Sequence, residues 1–180
     1  MSVQRHLRNV ALIGFMGTGK TCAGRALAAQ LGFEFADTDH LIEMRAGRSI
    51  AQIFEQAGEA VFRGIERQVV TELSGMDRAV IATGGGLGAN PDNLASLKTH
   101  ALVVCLWASL EVIWERVRAQ SHRPLLQTPD PLARIRELLA AREPFYRQAD
   151  VLISTDFRSV KEVVFHVRHE FELALRDQAG

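Results

Sequence analysis

The residues best suited to chemistry in this chain form one glycine-rich segment. Residues 14–21 read Gly-Phe-Met-Gly-Thr-Gly-Lys-Thr, which matches the G-x-x-x-x-G-K-[ST] pattern of a phosphate-binding loop. Glycines let successive backbone N–H groups face an oxyanion, and a following helix N-terminus adds the positive end of its dipole. Lys20 can reach the terminal phosphates, and the Thr21 hydroxyl can bind Mg²⁺. The pattern predicts nucleoside triphosphate binding; the alternative is a glycine-rich turn that binds nothing.

The elements around this segment support the first interpretation. An apolar run, Val10 to Ile13, precedes the loop, and a helix-forming stretch follows it up to Leu31. Strand-like segments are predicted at 9–13, 33–36, 79–83, 101–107 and 151–154. Helices are predicted at 20–31, 39–46, 49–55, 59–74, after Pro91, and at 110–118, 131–142 and 159–176. This alternation predicts an α/β fold: three α/β/α layers around a five-stranded parallel sheet.

Polar or glycine residues follow the second and third predicted strands, where parallel sheets bind ligands. Asp37 and Asp39 are two residues apart in a segment expected to be extended, so both carboxylates should project to the same side. One could hold Mg²⁺ through water while the other accepts a hydrogen bond from a substrate hydroxyl. The alternative is a helix N-cap beside a solvated acid. Residues 84–86 are all glycine, which permits unusual backbone conformations and close approach of a ligand, or forms a flexible turn.

Two further arginines lie near aromatic residues in the sequence, and a third lies in a polar loop. Arg63 follows an aromatic residue near the start of a predicted helix, and Arg142 lies near Phe145 at the end of another. Each taken alone is more typical of a surface charge. Residues 121–130 form a polar, proline-containing loop with the composition of a lid, and Arg123 is its cation. A lid suits phosphoryl transfer because water must be excluded before the phosphate moves.

The whole composition indicates an ordinary globular protein. The chain has 180 residues, expected to form a single domain, with 21 basic and 21 acidic side chains. This balance argues against nucleic acid as a partner. The two cysteines have no metal-like or disulfide spacing, and no secretion signal is evident, so we expect a cytoplasmic location. The longest apolar run is too short to span a membrane. We expect a monomer.

Taken in order, these motifs resemble those of the shikimate kinase family. The resemblance runs from about residue 9 to residue 171. Its motifs are residues 14–21, Asp37-Thr38-Asp39, Gly58-Glu59, Phe62-Arg63-Gly64-Ile65-Glu66, Gly84-Gly85-Gly86, Arg123-Pro124-Leu125-Leu126, and Arg142 with Pro144 and Tyr146. The resemblance implies a P-loop fold like that of nucleoside monophosphate kinases. It also implies ATP-dependent phosphorylation of the 3-hydroxyl of shikimate, in aromatic amino acid biosynthesis, with Mg²⁺ as cofactor.

The resemblance also implies a role for each matching residue. Lys20, Asp39 and Arg123 would be catalytic: Lys20 at the transferring phosphate, Asp39 at the reacting hydroxyl, and Arg123 closing over the phosphates. Thr21 and, through water, Asp37 would bind the metal. Shikimate would be bound by Asp39, Arg63, Gly84, Gly85, Gly86 and Arg142. ATP would be bound by Gly14, Met16, Gly17, Thr18, Gly19, Lys20, Thr21, Cys22, Arg123 and, near the adenine, Arg116 and Arg158.

Two other functions are open at this point. One is a kinase of another small hydroxy compound, such as gluconate, or of a nucleoside monophosphate; the arginines and the triple glycine count against it. The other is a non-catalytic nucleotide-binding module or GTPase-like switch. Such proteins use a base-reading motif such as N-K-x-D, which this sequence lacks.

Overall fold

Five parallel strands form the centre of the molecule. The computed structural model describes residues 5–119 and 128–179. Its sheet has the strand order β2-β3-β1-β4-β5. The strands are β1 (Asn9–Ile13), β2 (Glu34–Asp37), β3 (Ala79–Ala82), β4 (Ala101–Trp107) and β5 (Val151–Ser154). Because β1 lies between β3 and β4, the loops that leave β1, β2 and β3 meet at one edge of the sheet.

Helices cover both faces of this sheet. They are α1 (Lys20–Leu31), α2 (Thr38–Ala46), α3 (Ile50–Leu73), α4 (Pro91–His100), α5 (Leu110–Val117), α6 (Pro131–Tyr146) and α7 (Val160–Ala179). Alternate β1 side chains enter two separate cores, as the two-residue period of a strand requires. Val10 and Leu12 pack with α1 and α7. Ala11 and Ile13 pack with residues of α2 to α6. The predicted three-layer α/β/α fold is confirmed.

Most predicted boundaries lie within a residue or two of those observed, but α6 and α7 extend further than predicted, α7 to Ala179 rather than to residue 176. Helix α6 was expected to end at residue 142 but continues to Tyr146, with Pro144 inside its last turn. Strand β2 is displaced by one residue, to Glu34–Asp37, and α2 begins directly at Thr38. A short 3-10 turn, Leu87–Ala89, was not predicted.

The long helix α3 is broken at Gly58. This residue has φ 80° and ψ 173°, so the helix consists of two arms, in agreement with the two helices predicted there. The first arm begins with a capping box in which Ser49 accepts a hydrogen bond from the Gln52 N–H. The second arm carries Phe62 and Arg63. The bend at Gly58 therefore sets the direction in which these side chains approach the sheet edge.

No helix within residues 5–119 and 128–179 combines the length and the apolar character that crossing a bilayer requires.

Gly58→Ala should destabilise the fold by about 1–3 kcal/mol, because its backbone region is essentially restricted to glycine. Gly64→Ala on the same helix is a matched control. An added Cβ would have open space at both positions. Gly64 lies within the helical second arm, so alanine there should stabilise by about 0.5–1 kcal/mol. Urea unfolding of both variants measures the difference; equal effects would show that the Gly58 backbone is not strained for alanine.

Candidate active site

The phosphate-binding loop joins β1 to α1 at the carboxyl edge of the sheet. Gly14, Gly17 and Gly19 all have positive φ, at 135°, 76° and 90°. At Gly14 a Cβ would also collide with the backbone of Leu106 on β4. The loop thus needs glycine for its conformation and, at Gly14, for lack of space. Its backbone is shaped for the anion-binding role that the sequence predicted.

Lys20 is held inside this loop. It is 8% exposed. Its ammonium donates hydrogen bonds to the carbonyls of Gly14 (2.9 Å) and Phe15 (2.7 Å). The Thr18 hydroxyl donates to the same Phe15 carbonyl at 2.8 Å. The cation is therefore fixed within the loop, near the N-terminus of α1, whose dipole also favours negative charge.

Thr21 and Asp37 meet across the first turn of α1 and the end of β2. The Thr21 hydroxyl donates to Asp37 Oδ2 at 3.1 Å. The other carboxylate oxygen, Oδ1, accepts the Asp39 N–H at 3.1 Å and caps α2. Asp37 is thus an N-cap, as the alternative interpretation of the sequence stated, and it also faces the phosphate loop; its role in metal binding stays a prediction.

The Thr21–Asp37 pair fits Mg²⁺. Oxygen donors suit this ion, which usually takes one or two protein ligands together with water and phosphate oxygens. Within residues 5–119 and 128–179, no cluster of three or more His, Cys, Asp or Glu side chains is arranged to hold a metal. A hydroxyl and one carboxylate beside a phosphate loop are suitable ligands for the Mg²⁺ that accompanies a bound nucleotide.

Asp39 occupies a different environment from Asp37. The expectation that both lie in an extended segment was wrong, because β2 ends at Asp37 and Asp39 lies in the first turn of α2. Asp39 faces a cavity and is open to solvent on that side. Partial burial, which removes water from around the carboxylate, and repulsion from Asp37 raise the pKa of Asp39 to about 6. The positive charge of Lys20 opposes this shift. Asp39 can therefore accept a proton near neutral pH.

The three glycines after β3 bring the main chain against this carboxylate. The expected unusual backbone conformations are absent, since none of these glycines has positive φ. Space is the actual reason for glycine here. A Cβ on Gly84 would collide with the Asp39 carboxylate, and one on Gly86 would lie 3.4 Å from Arg63 Nη1. The triplet lets the Asp39 carboxylate and the Arg63 guanidinium lie close to the main chain, and the close approach of a ligand stays a prediction.

Arg63 is oriented by two glutamates that were not assigned roles from the sequence. Its Nη1 lies 3.0 Å from Glu66 Oε2, and its Nη2 lies 3.2 Å from Glu59 Oε1. Glu66 is 2% exposed and accepts a further hydrogen bond from Asn93 Nδ2 at 3.3 Å. Burial lowers and Glu66 raises the pKa of Arg63, with a net increase. Only the helical i, i+3 spacing of Arg63 and Glu66 could have indicated this pair.

Arg142 approaches the same place from α6. Its Nη1 donates to the Gly85 carbonyl at 3.2 Å, and its guanidinium lies 5.5 Å from the centroid of the Phe15 ring. The buried Tyr146 hydroxyl also donates to the Gly85 carbonyl, at 2.5 Å. The sequence neighbour Phe145 is not the aromatic partner of Arg142; Phe15 of the phosphate loop is. The Gly85 carbonyl thus accepts hydrogen bonds from two side chains of α6, which hold this helix against the segment that follows β3.

These groups surround a cavity of about 490 Å³. The charged residues on its wall include Asp39, Arg63, Glu66 and Arg142, and Gly84, Gly85 and Gly86 complete it. Arg134 also lines this cavity and was not identified from the sequence. Met16 of the phosphate loop also lies on the wall of this cavity, and its predicted contact with the nucleotide stays a prediction. The proposed acceptor residues are therefore gathered in one place.

A second cavity, of about 200 Å³, lies on the other side of the phosphate loop. It is lined by the expected nucleotide residues Gly17, Thr18, Gly19, Cys22, Arg116 and Arg158. Arg116 Nη1 donates to the Gly17 carbonyl at 3.0 Å and to Thr155 Oγ1 at 2.9 Å. This cavity adjoins the phosphate loop, and the nucleoside of a nucleotide bound at the loop would extend into it. Arg123 and residues 121–127 of the predicted lid lie outside the described residues.

Comparison with known proteins gives a consistent result. The family model for shikimate kinase matches residues 16–172 of the chain. A shikimate kinase of Caldanaerobacter subterraneus subsp. tengcongensis is 46% identical over 161 residues, which cover 89% of this chain and 94% of that protein.

Solved structures give the same result. The structure of shikimate kinase from Acinetobacter baumannii in complex with shikimate superposes with a TM-score of 0.86 at 39% identity, covering 95% of this chain and 94% of that one. A gluconokinase from Sinorhizobium meliloti shares the fold, with a TM-score of 0.62, but only 18% identity. Sequence, site and fold all agree: the chain belongs to the shikimate kinase family.

Proposed function

We propose that this chain transfers the γ-phosphoryl group of ATP to the 3-hydroxyl of shikimate. The observation that carries this proposal is the position of Asp39. Its carboxylate, with the pKa raised to about 6, lies in a cavity that also contains Arg63 and Arg142 and that borders the phosphate loop at Met16. A proton acceptor is thus placed between a site for phosphates and a site for an anionic acceptor. The shikimate bound in the Acinetobacter baumannii relative supports the same acceptor.

The acceptor cavity suits a small hydroxylated carboxylate. Arg63 and Arg142 can each bind a carboxylate in a bidentate manner, and their guanidinium groups approach Gly86 from two helices. The glycine backbone leaves room for a ring to lie against it. The cost of burying a carboxylate here would be offset mainly by Arg142, whose positive charge is held in place by the neutral Gly85 carbonyl and Phe15 ring.

On the nucleotide side, catalysis depends on charge and position. Phosphoryl transfer needs the transferring group neutralised and held in line with its acceptor. Lys20 and the loop N–H groups would hold the phosphates, and Thr21 and Asp37 would hold Mg²⁺. When bound, this ion would offset the negative charge of the phosphates. Asp39 then orients the attacking hydroxyl and accepts its proton.

The other partners follow from this reaction. MgATP and shikimate are the only small molecules that the proposed site requires. The single-domain organisation over residues 1–180, the monomeric state and the cytoplasmic location stay predictions from the sequence.

An acceptor comparison tests the proposed function directly. With MgATP, shikimate should give steady ADP release, and gluconate and AMP should give release no faster than ATP alone. The physical reason is that only shikimate combines a ring that fits the cavity with a carboxylate for the two arginines. A coupled assay for ADP measures all three. Turnover with gluconate or AMP but not with shikimate would overturn the proposal.

The pH dependence of kcat/KM for shikimate should reflect Asp39. Its pKa of about 6 means that the carboxyl group becomes protonated as the pH falls below that value. A protonated carboxyl cannot accept the hydroxyl proton, so kcat/KM should fall towards tenfold per pH unit below pH about 6. Asp39→Asn should lower kcat by about 100-fold or more and remove this acid limb. An unchanged acid limb in Asp39→Asn would assign it to another group.

Arg142→Ala should weaken shikimate binding and leave ATP binding unchanged. Loss of a charged hydrogen-bonding group corresponds to about a 10- to 100-fold rise in the KM for shikimate. Arg147→Ala is a matched control, because Arg147 is exposed at the end of the same helix and pairs with Glu143 at 2.6 Å. Steady-state kinetics with each substrate varied separate the effects. An equal KM change in both variants would remove Arg142 from the acceptor site.

A further inference from the structure

A buried hydroxyl group directly precedes Asp39 in the chain. Thr38 is the first residue of α2 and is fully buried. A threonine at the start of a helix commonly bonds to its own helix, but here the Asp37 carboxylate caps α2. The Thr38 hydroxyl instead accepts the N–H of Gly84, 46 residues further along the chain, at 2.8 Å. This bond therefore joins the start of α2 to the segment that follows β3.

The Thr38 bond lies where the ladder between two strands has ended. Strands β2 and β3 pair as far as Asp37 and Ala82. Beyond this point one chain enters α2 and the other enters the glycine segment. The carbonyl of Gly84 accepts the Leu87 N–H at 3.1 Å. Both polar groups of the Gly84 backbone are thus bonded, and a side chain supplies the partner of its N–H.

Packing alone does not explain a threonine at this fully buried position. Valine has nearly the same shape, and burying a hydroxyl is unfavourable unless it forms hydrogen bonds. The hydroxyl of Thr38 is useful because it satisfies the Gly84 N–H, which a valine would leave without this partner. The residue type therefore indicates that the position of the Gly84 backbone matters.

Gly84 in turn limits where the Asp39 carboxylate can lie. A Cβ on Gly84 would collide with Asp39 Oδ1, so the main chain of Gly84 borders the space that this carboxylate occupies. The backbone of Asp39 is fixed separately, because its N–H donates to Asp37 Oδ1 at 3.1 Å. The bond from Gly84 to Thr38 therefore bears on the carboxylate end of Asp39.

We propose that Thr38 is a positioning residue for phosphoryl transfer: its hydroxyl holds the Gly84 main chain against Asp39 and so directs the Asp39 carboxylate towards the acceptor hydroxyl. The inference rests on the proposed function, in which Asp39 accepts the proton of that hydroxyl. A proton acceptor must lie within hydrogen-bond reach of its donor, and a small displacement lowers the rate steeply. Thr38 acts through Gly84, since it is buried and is not part of the cavity wall.

Thr38→Val removes the hydroxyl and keeps the shape of the side chain. With MgATP and shikimate, kcat should fall by about 10- to 100-fold, the scale of the loss when a reacting group is misplaced. The KM for ATP should not change, because the phosphate loop keeps its own hydrogen bonds. Thr38→Ser restores a hydroxyl and should recover most of the parent kcat. If Thr38→Val does not fold, Thr38→Ala removes the hydroxyl without adding bulk and should show the same fall.

Thr83→Val is a matched control. Thr83 is also buried and precedes Gly84 directly, but its hydroxyl donates to the Leu12 carbonyl of β1 at 3.1 Å. This variant should keep the parent kcat. An equal fall in Thr38→Val and Thr83→Val would overturn the inference, because it would show a general effect of losing a buried hydroxyl. Parental kcat without the Thr38 hydroxyl, or no recovery in Thr38→Ser, would overturn it as well.

A double variant tests whether Thr38 acts through Asp39. In the Asp39→Asn background, adding Thr38→Val should lower kcat little further, because both changes affect the same group; independent effects would multiply. Multiplied losses would overturn the inference and leave the proposed function intact. A parent chain that does not phosphorylate shikimate would overturn the proposed function, and this inference with it.

Discussion

The site depends on the close approach of the main chain after β3 to three charged side chains. No other residue type could stand at Gly84 without displacing the Asp39 carboxylate, and Gly85 and Gly86 border Arg142 and Arg63. Because β3 lies between β2 and β1 in the sheet, this glycine segment lies between the loops that carry Asp39 and Lys20. The parallel sheet thus brings the proposed acceptor and phosphate-binding residues to one edge. They can lie close together there because the three glycines have no side chains.

The charges in this region are balanced in two different ways. Arg63 is neutralised by Glu66 and Glu59, and Glu66 is itself fixed by Asn93 from α4. The groups that hold Arg142, by contrast, are neutral: the Gly85 carbonyl and the Phe15 ring. Arg63 therefore has its charge balanced within the protein. The positive charge of Arg142 is oriented without being cancelled, which suits it to an incoming carboxylate.

What could be predicted from the sequence depended on local chemistry. The loop at residues 14–21 and the apolar runs carry their meaning in a few adjacent residues, so the fold and the phosphate site were predictable. The i, i+3 spacing could have indicated the Arg63–Glu66 pair, but the contacts of Glu66 with Asn93 and of Tyr146 with Gly85 depend on how α3 and α6 pack against other elements. For Gly84–Gly86, the structure shows that lack of space for side chains, and not an unusual backbone conformation, is the reason for glycine. Composition indicates that space is needed, but only the packed structure shows which atoms need it.

The internal hydrogen bonds of Lys20 have a consequence for turnover. Its ammonium already donates to two carbonyls of its own loop, so the loop keeps its shape without a bound anion. In its proposed role at the phosphates, Lys20 would exchange hydrogen bonds rather than gain new ones. Exchange contributes less net free energy than filling an idle donor would. A smaller net gain in binding free energy would favour the departure of ADP after phosphoryl transfer, and product release limits the rate of many enzymes.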